Sequence, residues 1–71
     1  MSNAKSARAF PPVAVTKTEA AAMLAMSVTS FDRHVFADIR VIRRGNLVLI
    51  PVKELHHWAD ENADYTLGAT G

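Results

Sequence analysis

The stretch Thr16–Phe36, TKTEAAAMLAMSVTSFDRHVF, decides how the rest of the chain is read. Thr16 and Glu19 fit the S/T-x-x-E capping box, in which each side chain satisfies a free backbone N–H at a helix start. Ala20, Ala21, Met23 and Leu24 supply helix formers with apolar residues at helical spacing. Ser27 is a second N-cap residue, only three positions after Leu24. Val28, Phe31 and Val35 follow it at i, i+3 and i+7 and give a second helix one buried stripe. The spacing predicts one helix from about Lys17 to Ala25 and another from about Val28 to Phe36 or Ala37. Helices this short cannot bury both stripes as an antiparallel hairpin, so a helix-turn-helix crossing is the compact solution.

Downstream, Asp38–Ile50 (DIRVIRRGNLVLI) is rich in Val, Ile and Leu and is interrupted by Gly45-Asn46, a hairpin-turn signal. With those two residues central, Arg44 faces Leu47, Arg43 faces Val48, Ile42 faces Leu49 and Val41 faces Ile50. A one-residue shift of the turn would change every pair. Either register gives a two-stranded ribbon with Arg43 and Arg44 at its tip. A ribbon beside a helix-turn-helix is a wing. Pro51 then suits the first turn of a helix. Val52, Leu55, Trp58 and Ala59 mark an amphipathic third helix from about Val52 to Glu61 or Asn62, with Trp58 as its largest core contribution. Upstream, Val13–Val15 are read as an edge strand leading into the Thr16 cap.

The 71 residues allow one domain with a modest core. The absence of cysteine excludes disulfides and thiolate metal sites. No run has the length of a membrane span and no secretory leader pattern opens the sequence, so a soluble cytoplasmic protein with no membrane partner is expected. Residues 1–12 lack periodicity and are read as a flexible arm, with Ser2-Asn3-Ala4 resembling a scar of recombinant expression. The domain is expected over 13–62, and 63–71 as a flexible tail. The fold expected is mostly α with a small two-stranded β wing, that is, a winged helix-turn-helix.

The formal net charge of +1 conceals an uneven distribution. From Arg33 to Lys53 five bases stand against one acid, Asp38, and from Glu54 onward four acids stand with no base. A basic middle segment is the footprint expected of a nucleic-acid binder. In a helix-turn-helix the second helix presents its N-terminal residues to base edges in the major groove. The stripe Val28, Phe31 and Val35 leaves Thr29, Ser30, Asp32, Arg33 and Phe36 on or near the open side. Arg33 is the first choice for a base or phosphate contact, because its planar fork can bind guanine O6 and N7 together. Thr29 and Ser30 can bond base or phosphate. Lys17 and Thr18 are placed to touch the backbone. Asp32 can accept from cytosine N4, or pair with a neighbouring base; the second is preferred. The wing supplies Arg43 and Arg44 at its tip. The double-stranded DNA partner is therefore assigned to Lys17, Thr18, Thr29, Ser30, Arg33, Arg43 and Arg44.

No enzyme signature is present: the chain lacks a Gly-rich phosphate loop, a nucleophile elbow and a close carboxylate pair. No catalytic residue, cofactor or metal site is assigned. His56 and His57 point about 100° apart on a helix and lack the i, i+4 spacing of helical zinc ligands. His57 is read as facing solvent, and His34 as half-buried and hydrogen-bonded.

The order of parts resembles the excisionase-like branch of the MerR-type winged-helix DNA-binding domains, the group that includes AlpA-like phage regulators. The residues that carry it are Val15-Thr16, Glu19-Ala20-Ala21, Met23-Leu24 and Ser27, then Gly45, Ile50-Pro51, Leu55 and Trp58. The resemblance covers about residues 13–60. It implies a small sequence-specific DNA binder with its second helix (Thr29, Ser30 and Arg33) in a major groove and its wing on the neighbouring minor groove or backbone, where it adds Asn46 to Arg43 and Arg44 as a DNA-contact residue. Members serve as excisionases in DNA recombination, as phage or plasmid transcription regulators, and as DNA-recognition domains of packaging proteins of the terminase small-subunit kind. Leu47 and Leu49 stand where the wing's outer face is often basic or polar. They expose apolar surface through which the chain could bind another protein or a second copy of itself, the alternative function.

Overall fold

The computed structural model describes residues 10–64. The expectations for the arm and the tail lie largely outside those residues. In chain order the elements are β1 (Ala14–Val15), α1 (Lys17–Met23), α2 (Val28–His34), a single 3-10 turn (Phe36–Asp38), β2 (Ile42–Arg44), β3 (Leu47–Pro51) and α3 (Val52–Asn62). None of these helices is long and apolar enough to cross a membrane.

The first helix starts as its cap residues dictate. Thr16 Oγ1 accepts from the Glu19 N–H at 3.2 Å, and Glu19 Oε1 accepts from the Thr16 N–H at 2.9 Å. Val15 precedes the cap and Ala20 follows one turn in; both are buried, as a hydrophobic staple requires. The helix stops earlier than the sequence predicts. Leu24 is its C-cap, and Ala25 takes the left-handed conformation at φ 59°. The Ala25 N–H donates to the Ala22 carbonyl at 2.9 Å, and the Met26 N–H to the Ala21 carbonyl at 3.0 Å. That pair of bonds is a Schellman motif, which normally takes glycine at the left-handed position. Ser27 then caps α2 by accepting from the Ser30 N–H at 3.1 Å. Because Ala25 is exposed, Ala25→Gly loses no packing while it removes the Cβ strain. The gain exceeds the added flexibility of the unfolded chain by about 0.5 kcal/mol, a rise in Tm of about 2–4 °C. A fall in Tm by thermal circular dichroism would contradict this account of the turn.

The hairpin has the expected register: Ile42 faces Leu49, Arg43 faces Val48 and Arg44 faces Leu47. Of the two turn residues only Gly45 has positive φ (58°), the type II′ pattern, in which glycine takes the first central position. Val41 lies outside the strand. The sheet itself is not two-stranded. β1 pairs antiparallel with the far side of β3, Val15 with Ile50 and Ala14 with Pro51, and the Val52 N–H donates to the Val13 carbonyl at 2.9 Å. The order is β1-β3-β2, so β3 is central and the domain is mixed α/β, not mostly α with a ribbon attached. The edge strand read at Val13–Val15 is the third strand.

Seven side chains form the buried cluster: Val15, Ala20, Ala21, Phe31, Val35, Ile50 and Leu55. Each α helix and two strands contribute to it, so β3 and α3 back the α1–α2 pair. Val28, expected in the α2 stripe, is 37% exposed. It is the first residue of α2 and lies beyond the edge of the core. Trp58 is half-buried and packs against the cluster, but it is not fully enclosed. Its indole Nε1 is buried without a hydrogen-bond partner among the described residues. His34 is exposed, against the expectation of a half-buried histidine, because α2 ends there and the chain turns away.

Glu54 ties the first turn of α3 to the segment entering β2. It accepts from the Arg40 N–H at 3.1 Å and from Arg40 Nε at 3.4 Å. The Arg40 backbone N–H, helped by its guanidinium, holds the Glu54 carboxyl below its ordinary value of 4.5. A carboxyl depressed on folding stabilises the fold above its unfolded pKa, and that contribution fades as pH falls through the lower folded value. Glu54→Gln should therefore lose less Tm than the parent between pH 7 and pH 3. An identical drop in both proteins would exclude the link as a source of acid sensitivity.

Candidate nucleic-acid interface

With Phe31 and Val35 fully buried, α2 is fixed in rotation. Thr29 and Arg33 lie one turn apart on its exposed side. Arg33 has no hydrogen-bond or ion-pair partner among the described residues, so its five donors are available. Ser30 is half-buried, and its N–H is taken by Ser27. Thr18, in the first turn of α1, is exposed.

The hairpin arginines do not act alike. Side chains alternate across a strand, and cross-strand partners share a face. Arg43 shares its face with Val48, which packs on the core, and Arg44 shares the outer face with Leu47. The Arg43 guanidinium comes back over the Phe36 ring, 5.7 Å from its centroid. Arg44 and Asn46 are exposed at the tip.

Phe36, like Val28 and His34, is not where sequence reasoning placed it. Helical periodicity put it near the open side of α2. The helix ends at His34, and the 3-10 turn at Phe36–Asp38 swings the ring inward onto Phe31, with centroids 6.3 Å apart. The ring's face then serves cations. Lys17 Nζ lies 4.3 Å from its centroid, within cation–π range. The same ammonium is 2.8 Å from Asp32 Oδ1. Asp32 thus pairs with a neighbouring base, as preferred above, and the base is Lys17. No local pattern announces a contact across 15 positions.

The basic middle segment is thinner in space than in sequence. Within it Arg40 is paired with Glu54 through Nε; outside it, Lys17 is held by Asp32 and Phe36. Arg33, Arg44 and Lys53 remain as exposed cations with no partner among the described residues, and Arg43 is held over the ring.

The apolar surface expected on the wing exists in part. On the outer face Leu47 is 51% and Ile42 is 38% exposed, while Leu49 is half-buried. Elsewhere an open cleft of about 250 Å³ is lined by acidic and aromatic side chains, among them Asp38, Glu54, Trp58 and Glu61. His57 Nε2 stands 3.7 Å from Glu61 one turn along α3. In comparisons with known proteins, no family model matches the chain, no characterised protein matches it, and no solved structure matches it.

Proposed function

We propose that the chain is a winged helix-turn-helix domain that binds specific sites on double-stranded DNA in the cytoplasm. Its role would be that of a small phage or plasmid regulator or an excisionase. The observation that carries this reading is the exposed side of α2. A seven-residue helix is capped by serine, anchored by Phe31 and Val35, and turns Thr29 and Arg33 outward. The hairpin with Arg43, Arg44 and Asn46 follows in the same domain. In this arrangement α2 enters a major groove, Arg33 reads a base pair, and the hairpin grips the flanking backbone. The resemblance to excisionase-like domains supports the same assignment.

The test is fluorescence anisotropy with duplexes tiled across the DNA that flanks the gene. A matched site should bind at least about 1,000-fold more tightly than random duplex, in a salt-dependent way. If no tile exceeds random DNA at low salt, the reading fails. The exposed Leu47 and Ile42 would then be the surface to pursue.

A further inference from the structure

Asp32 puts a carboxylate beside Arg33 on the open side of α2, where a surface built only to attract phosphate would carry none. Its partner is equally out of place. Lys17 is the first residue of α1, at the helix end whose partial charge disfavours a cation. Two electron-rich groups hold it there: Asp32 Oδ1 at 2.8 Å and the Phe36 ring face at 4.3 Å. The Lys17 side chain is left 34% exposed. Arg43 stands over the same ring at 5.7 Å, so the two cationic groups are at most about 10 Å apart, roughly one Debye length at 0.1 M salt. Without the carboxylate, Lys17 of α1 and Arg43 of the hairpin would be two neighbouring cations with no acid between them and the DNA.

We infer that Asp32 masks Lys17: it competes with backbone phosphate for the ammonium and keeps it out of the DNA-binding set. The inference rests on the duplex-binding reading above. Its consequence falls on unmatched DNA, where binding comes almost wholly from phosphate neutralisation. One withheld cation shortens the stay there, while the base contacts of α2 still hold the matched site.

The experiment measures the affinity of four proteins for random-sequence duplex between 50 and 200 mM salt: the parent, Asp32→Asn, Lys17→Ala and the double variant. Asp32→Asn should bind more tightly. Its slope of log K against log salt should steepen by about 0.9, one extra phosphate. Its advantage over the parent should therefore be about 3.5-fold greater at 50 mM than at 200 mM. Lys17→Ala alone should leave the parent's slope unchanged, and the double variant should return to it. The mask is overturned if Lys17→Ala flattens the parent's slope, since Lys17 would then already touch phosphate. It is overturned too if the gain of Asp32→Asn survives in the double variant, which would make it general charge relief. If none of the four binds, the duplex reading falls first and the mask with it. An exposed ion pair contributes little to stability, so the variants should fold. Asp32→Ser serves as a second neutral variant, and circular dichroism verifies each.

Discussion

Replacing Arg33 by alanine is expected to weaken binding to the matched duplex by about 1–3 kcal/mol, roughly 5–150-fold. The argument is positional. Phe31 and Val35 are at 0% exposure, which fixes the rotation of α2 and leaves Arg33 outside with Thr29. A guanidinium that reads guanine O6 and N7 in two bonds leaves both acceptors unpaired when it is removed. The loss should fall on the matched site and relax preference at one base pair. Affinity for random duplex should change only a few-fold. A phosphate contact would instead weaken all sequences alike and flatten the salt slope by about 0.9. Competition anisotropy with single-base-pair variants of the site separates the two. Unchanged affinity for every variant would remove Arg33, and with it α2, from the interface.

The second large effect is on folding. Phe31→Ala removes the largest fully buried side chain of the core. The expected destabilisation is about 3–5 kcal/mol. A domain with 55 described residues has a total stability of about 3–8 kcal/mol, so the variant should lose a large share of it and unfold at a much lower urea concentration. Val28→Ala, three residues earlier on the same helix, should change stability by no more than about 0.5 kcal/mol, because Val28 is already 37% exposed. Urea melts of the two variants test the orientation of α2 without any DNA. Equal losses would mean that the helix is rotated from the position described, and that Arg33 does not face outward.

Interactions closed within a few residues were legible in the sequence. The Thr16–Glu19 box and the Ser27 cap depend on spacing alone, and both are present; the hairpin takes the register with Gly45-Asn46 central, one of the two that spacing allowed. The break after His34 was not legible, because the apolar run Val35-Phe36 continues a helical pattern that the backbone abandons. That single turn accounts for the misplacement of Phe36. The third strand was readable as a segment but not as a neighbour of β3, since pairing across 35 positions leaves no local trace. The same limit hid the partners of Lys17 and Arg40. A charge count registers a cation, and only tertiary contact decides whether it is free. On the exposed side of α2 and at the hairpin tip, residue types were therefore readable, while the net availability of charge was not.

The placement of β3 between β1 and β2 has a kinetic consequence. Its hairpin partner lies next to it in the chain, but Val15 must find Ile50 across a long loop. Closing that loop opposes assembly by roughly 3 kcal/mol of chain entropy before any contact rewards it. As the polypeptide leaves the ribosome, the first two helices emerge well ahead of the strand that must support them. They should stay open to proteases until residues near Ile50 have cleared the exit tunnel, and docking of β1 should be the last event of folding.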